Sequence, residues 1–246
     1  MQDLIVATNP KSSFAEAVKL IKTNITFSSI GTNFKVILVT SPESGDGKSF
    51  LIANLASAFA QEGKRILIVD ADLRKGRQHR IFGLDKENNH GYSNLILKVS
   101  QDQRLIYSGL DNQIFGYIKE TQVKGVSLLP AGPTPPNPLE LLSSETNQII
   151  LTHLKKYYDL IFIDCPPALG LSDALVMSKY SDVNIVTISN AKTRIDQLED
   201  VKKNFERVNS KITGVVINKA KVKASSYSSY YTNDKYYTDN NIKPVK

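Results

Sequence analysis

One cysteine, Cys165, and three widely separated histidines, His79, His90 and His153, are all that a chain of 246 residues offers as soft or borderline metal ligands. A lone thiol excludes a disulfide framework and any multi-cysteine zinc or iron–sulfur site, and the histidines show no ligand-like spacing. No apolar run approaches the roughly 18 residues that a membrane helix needs. Met1-Gln2-Asp3-Leu4 is not the charged-then-apolar start of a signal sequence. The composition reads as a protein of a reducing compartment, cytoplasmic, whose contact with a membrane would come through a partner.

What is present is ordinary for a globular chain: 41% hydrophobic and 22% charged residues. The length suits one domain or two small ones. The net charge of +7 points to acidic partners, whether phosphate, nucleic acid or lipid, without choosing among them. Residues 221–246 hold five lysines against two aspartates and contain no Leu, Phe or Met. Such a segment cannot bury enough apolar surface to offset its ordering entropy, so a flexible tail is expected there, following a folded domain over 1–220. Yet Tyr227, Tyr230, Tyr231, Tyr236 and Tyr237 lie in it, five of the chain's 11 tyrosines. Flexible tails are usually poor in aromatics, which leaves phosphorylation, stacking on bases and docking to a partner as open reasons for the cluster.

The body alternates strand-like and helix-like segments. Ser13-x-x-Glu16 has the pattern of a capping box opening a helix through Ile25. Short runs rich in β-branched residues at 36–39, 66–69, 160–163, 183–189 and 212–217 predict strands, the first three buried on both faces. Helices are expected at 49–62, closed by Gly63, and at about 173–180 and 194–208. Another should follow Asn137-Pro138-x-Glu140, which supplies an N-cap, a proline at N1 and a glutamate at N3. Residues 73–130 give no clear pattern. The alternation predicts an α/β fold, a doubly wound, mostly parallel sheet flanked by helices, in which ligands bind at the carboxyl ends of the strands.

Three such ends carry chemistry. The first predicted strand runs into Ser41-Pro42-Glu43-Ser44-Gly45-Asp46-Gly47-Lys48-Ser49-Phe50. Gly47-Lys48-Ser49 meets the end of the phosphate-loop pattern, although Pro42 stands where its first glycine belongs. Gly45 and Gly47 let the backbone curl so that N–H groups face a phosphate at the positive end of the next helix. Lys48 would reach the β- and γ-phosphates and the Ser49 hydroxyl would ligate Mg²⁺. A plain glycine-rich turn with a solvated lysine is the competing reading, and the strand–loop–helix context weighs against it. A dinucleotide-binding loop would need glycine where Phe50 stands.

The other two ends are Asp70-Ala71-Asp72 and Asp164. Singly, an acidic residue there can be a mere cap, but three carboxylates converging on a lysine and a serine fit an Mg²⁺·nucleotide site better. A tyrosine hydroxyl, with a pKa of about 10, needs a nearby base to act as a nucleophile, and such a carboxylate could serve. The basic run Arg74 to Arg80 follows directly and could draw in phosphate or an acidic segment.

Together these residues resemble the bacterial tyrosine kinases of the P-loop class. Ser44–Ser49 is similar to their Walker A motif, Ile68–Arg74 to Walker A′ and Ile161–Asp164 to Walker B. Residues 131–142, Ala-Gly-Pro-Thr-Pro-Pro-Asn-Pro-Leu-Glu-Leu-Leu, resemble a further family hallmark, and the terminal tyrosines complete the likeness. The resemblance implies the Gram-positive type, which acts in capsular and exopolysaccharide synthesis and export and whose membrane-spanning activator, a polysaccharide co-polymerase, is a separate protein. It implies ATP held by Ser44, Gly45, Asp46, Gly47, Lys48, Ser49 and Phe50, with Asn218 at the adenine. Ser49 and Asp72 would hold Mg²⁺, with Asp164 nearby, and Asp70 would be the base for the incoming tyrosine.

The same resemblance implies autophosphorylation of Tyr227, Tyr230, Tyr231, Tyr236 and Tyr237 between subunits, reversal by a cognate tyrosine phosphatase, and no nucleic-acid partner. Glu16-x-x-Lys19-x-x-Lys22 resembles the motif through which family members form a ring, with lysines where the family has arginines. Lysine cannot make arginine's bidentate pair with a carboxylate, so a weaker or differently built ring is expected. The rival readings are a nucleotide-gated positioning or partition ATPase, whose signature lysine is replaced here by Glu43, and a non-catalytic regulator of polysaccharide assembly.

Overall fold

The apolar runs become the centre of a seven-stranded sheet. In the computed structural model, residues 3–28, 33–190 and 192–220 are described. The chain opens with α1 (Ile5–Thr8) and α2 (Ser13–Ser28), then enters β1 (Val36–Thr40), α3 (Lys48–Ala60) and β2 (Ile66–Asp70). Next come α4 (Gln78–Ile81), a 3-10 turn (Asp85–Asn89), α5 (Tyr92–Gln101), α6 (Arg104–Tyr107), α7 (Leu110–Tyr117), β3 (Lys119–Glu120) and β4 (Val126–Leu129). The second half holds α8 (Pro138–Ser143), α9 (Glu145–Leu154), β5 (Leu160–Asp164), α10 (Asp173–Met177), β6 (Val183–Ser189), α11 (Ile195–Arg207) and β7 (Gly214–Asn218).

The strand order is β3-β4-β2-β5-β1-β6-β7, all parallel except β3, which pairs antiparallel with β4. Successive strand residues face opposite sides, so each central strand feeds two cores. Val36, Leu38, Leu67, Val69, Ile161 and Ile163 join the layer formed with α5, α9 and α11. Ile37, Val39, Ile66, Ile68, Leu160 and Phe162 join the layer under α1, α2 and α3. Burial on both faces explains why β1, β2 and β5 read as continuous apolar runs, and the helices on both sides make the sheet doubly wound, as the sequence predicted. Among the described residues no helix is long and apolar enough to cross a membrane.

Several local expectations hold in detail. Asn137 caps α8: its side-chain oxygen accepts the Glu140 N–H at 3.4 Å, with Pro138 in the first turn. Gly63 takes a left-handed φ of +82° just beyond α3, where a side chain would be strained. The capping box at Ser13 does not form. Ser12 is the cap, its hydroxyl accepting the Ala15 N–H at 3.1 Å, while Glu16 turns to Lys19. The last strand starts at Gly214, two residues later than predicted. Residues 221–246, with all five tail tyrosines, lie outside the described residues.

Candidate functional site

Parallel register gathers the site. β5 lies between β1 and β2, with Asp164 paired to Val39 on one side and to Asp70 on the other. The strand-end carboxylates of β2 and β5 therefore stand side by side, next to the loop that leaves β1.

That loop is shaped by two glycines in the left-handed region, Gly45 at φ +89° and Gly47 at φ +93°, where glycine alone is unstrained. Gly47 has a second constraint: a Cβ there would fall 1.9 Å from Asn218 Nδ2. The turn delivers the chain into α3, a helix of 13 residues whose first N–H groups point out of its end as an anion-binding surface. Ser44, Gly45, Gly47, Lys48, Ser49, Phe50 and Asp72 border a cavity of about 740 Å³ in front of it.

Three residues expected to touch the nucleotide spend their side chains elsewhere. The buried Asp46 carboxylate accepts the Glu43 N–H at 3.1 Å and the Thr193 hydroxyl at 3.4 Å, tying the loop shut from within. Asn218, at the end of β7, donates through Nδ2 to the Asp46 carbonyl at 3.0 Å, so it braces the loop from beneath. The Phe50 ring packs on Phe14 of α2 at 5.1 Å between centroids. Lys219 and Lys192 add outer bonds to the carbonyls of Gly45 (2.7 Å) and Ser44 (3.3 Å).

Lys48 is the electrostatic centre. Its ammonium lies 3.1 Å from Asp72, 3.4 Å from Asp164 and 3.4 Å from the Ser49 hydroxyl. Burial alone would depress its pKa, but the charges of Asp164, Asp72 and Asp70 override that and raise it, so the lysine stays charged. Asp70 is fully buried, its oxygens accepting the N–H groups of Asp72 (3.3 Å) and Gln78 (3.0 Å). Burial, and then the Asp164 charge, push its carboxyl well above the usual range. Asp72 borders the cavity, whereas Asp70 lies one layer beneath it.

Sequence reasoning missed two supports. Gln78, a neutral residue inside the basic run, donates through Nε2 to Asp164 at 2.8 Å and to the Ser49 carbonyl at 3.1 Å, linking two strand ends and the loop. Arg74 is fixed by a two-pronged pair with the buried Asp173, at 3.2 and 3.3 Å. Only the charge run could have drawn attention to either.

Glu16, Lys19 and Lys22 share one side of α2, away from this cluster. Lys19 pairs with Glu16 at 2.7 Å and also donates to the Pro10 carbonyl at 2.9 Å; Lys22 pairs with Glu62 beyond α3.

A parallel sheet whose first strand turns through a glycine loop into a helix, with a buried lysine held by strand-end carboxylates, defines a P-loop nucleotide-binding protein. A family model described as an AAA domain matches residues 34–218. The candidate tyrosine-protein kinase CapB of Staphylococcus aureus is 39% identical over 232 residues, 94% of this chain and 96% of that protein. Tyrosine-protein kinase YwqD of Bacillus subtilis is 35% identical over 96% of this chain and 94% of its own length. The crystal structure of the chimerical protein CapA2B2 superposes with a TM-score of 0.79 at 34% identity, covering 90% of this chain and 92% of that one. The chain belongs to the bacterial tyrosine kinases, of the Gram-positive type.

Proposed function

We propose that this protein transfers the γ-phosphoryl group of Mg²⁺·ATP to tyrosines, principally Tyr227, Tyr230, Tyr231, Tyr236 and Tyr237 of neighbouring copies, and thereby regulates capsular or exopolysaccharide synthesis and export. The observation that carries it is the meeting of Lys48, Asp72 and Asp164 in front of the glycine loop.

The residues fit the nucleotide. The left-handed turns at Gly45 and Gly47 curl the loop in front of the cavity, and the start of α3 presents free N–H groups to the phosphates. Among the described residues no three acidic, imidazole or thiol groups stand ready to hold a metal. Magnesium sites commonly rely on few protein ligands and complete their shell with phosphates and water, so Ser49 and Asp72, with Asp164 nearby, are the residues that would hold it. The bound ion would neutralise charge on the phosphates and align them.

Lys48 holds its positive charge where negative charge gathers on the transferring group. The acceptor approaches from the Asp72 side of the cavity. Asp70 takes the proton of the tyrosine hydroxyl; it is fully buried, and the segment around Gly76 that lies against it must part for the hydroxyl to reach it. The tyrosine O–P bond forms as the bond from the γ-phosphorus to the bridging oxygen breaks, and ADP leaves.

Residues 1–220 serve as the kinase domain and 221–246 as its tyrosine-bearing substrate, with Asn218 near the adenine through its hold on the loop. A membrane-bound co-polymerase would recruit and activate the protein through a cytoplasmic segment, Glu16, Lys19 and Lys22 would contribute to a ring, and a tyrosine phosphatase would reset it. Each phosphate adds about −1.5 to −2 charges, so several would turn the lysine-rich segment strongly negative and loosen the assembly.

The test is incubation with ATP·Mg²⁺ and the activator segment, followed by mass spectrometry. Phosphotyrosine within 221–246, abolished by Lys48→Met, is the expected result. Phosphate on Ser or Thr alone, or an undiminished tyrosine signal in the variant, rejects the reading.

A further inference from the structure

The hallmark segment after Leu129 and the far end of the basic run, at His79 and Arg80, do not border the nucleotide cavity, yet they face each other. Between them lies a second cavity of about 340 Å³, within the size range of small-ligand sites. One wall carries Lys75, Arg77, His79 and Arg80; the other carries Asn88, Ala131, Gly132 and Thr134. The hallmark holds its wall by backbone bonds to α5, the Pro130 and Ala131 carbonyls accepting the N–H groups of Tyr92 (2.7 Å) and Ser93 (3.0 Å). The close approach requires Gly91, since a Cβ there would fall 2.3 Å from the Pro130 carbonyl oxygen.

The cations on its wall mark this cavity as an anion site. The side chains of Lys75, Arg77 and Arg80 have no hydrogen-bond or ion-pair partner among the described residues, whereas Arg74 beside them is paired with Asp173. His79 completes this wall, 6% exposed, with its Nδ1 buried away from solvent. Asp72 also borders the cavity, where its carboxylate accepts from Lys48 and from the Lys75 N–H at 2.9 Å; it is one carboxylate facing three cations.

Arg74, Lys75 and Arg77 border both cavities, so the second one adjoins the place where the γ-phosphate would lie. We propose that the second cavity is a phosphate-monoester subsite that takes a phosphotyrosine already present on the acceptor chain, so that one transfer primes the next. It rests on the kinase activity proposed above and names its preferred substrate. A phosphotyrosine carries nearly two charges, against one for Asp or Glu, and arginine forks grip its oxygens in pairs. The acceptor segment supplies it: in Tyr230-Tyr231 and Tyr236-Tyr237 a second tyrosine follows the first directly in sequence.

The experiment measures binding of fluorescent 221–246 peptides to the full chain by anisotropy, with the nucleotide cavity saturated by a non-hydrolysable ATP analogue. One peptide is unmodified and one carries phosphotyrosine at position 236. Transfer to Tyr237 is followed separately with ATP. The phosphopeptide should bind about tenfold more tightly or better and be phosphorylated faster. Arg80→Gln, at a residue that borders only the second cavity, should remove most of that preference, and Arg80→Lys should restore part of it. Phenyl phosphate should displace the phosphopeptide at concentrations where inorganic phosphate does not. Equal affinity for both peptides, loss of the preference once the ATP analogue is present, or displacement by inorganic phosphate as readily as by phenyl phosphate overturns the subsite. Absence of transfer to either peptide, with the binding preference intact, overturns the kinase reading instead.

Discussion

Two sets of cations stand at the same end of the sheet and are treated in opposite ways. Lys48, its side chain 12% exposed, is held by Asp72 and Asp164, with Asp70 behind them. A few residues away, Lys75, Arg77 and Arg80 reach solvent with no side-chain ion pair among the described residues. The difference follows from desolvation: a charge taken out of water must find its counter-charge inside the protein, whereas a surface charge can wait for a ligand. The buried set organises the site in advance of any ligand. The exposed set is free to choose what comes to it.

The sharpest break in that comparison is Lys48→Met. Removing the central cation should lower phosphoryl transfer by about 10²–10³-fold or more, read as labelled phosphate on tyrosine. It should also lower stability by about 3–5 kcal/mol, because buried carboxylates lose their partner. Urea unfolding followed by circular dichroism measures the second effect, and a variant as stable as the parent would show that the cluster needs no internal cation.

How much of this could be read in advance depended on how regular the local pattern was. β1, β2 and β5 were legible because strands covered on both faces must be apolar throughout, and parallel pairing then put Asp70, Asp72, Asp164 and Lys48 at one edge. Residues 73–130 were not legible. β3 is two charged residues and β4 four residues long, and both are recruited by the growing sheet rather than by their own periodicity. Gln78 was missed because its role is a tertiary one, tying Asp164 to the Ser49 carbonyl across 29 and 86 positions of chain. Adjacent serines made the start of α2 ambiguous by one residue, and only the direction of the Ser12 hydroxyl decided it.

Gly76→Ala probes the seam between the two sets. A Cβ at this position would fall 2.6 Å from Ala131 Cβ and 2.9 Å from Asp70 Oδ2. Such overpacking costs about 1–3 kcal/mol and should lift the segment that covers Asp70 and divides the cavities. Both thermal stability and transfer rate should fall, and an unchanged melting temperature would mean that the segment sits loosely. Gln78→Ala removes two buried hydrogen bonds on the compensated side and should cost about 1–3 kcal/mol. Gln78→Glu should do more harm to transfer than Gln78→Ala, since it sets a further carboxylate against Asp164 where Lys48 already balances three.

The smallest effect on stability belongs to the cations of α2, which are less exposed than the free set and, like the buried set, have partners. Lys19 and Glu16 are 37% and 39% exposed, and Lys22, at 15%, meets a Glu62 that is half exposed. Solvent screens such pairs, so Lys19→Ala and Lys22→Ala together should change unfolding free energy by no more than about 1 kcal/mol. If these lysines also bind a neighbouring copy, the same double variant should shift the protein to smaller species in analytical ultracentrifugation while leaving its melting temperature nearly unchanged. A large loss of stability with unaltered assembly would reverse the assignment and make the pairs with Glu16 and Glu62 internal struts between α2 and α3, no longer surface available to a partner.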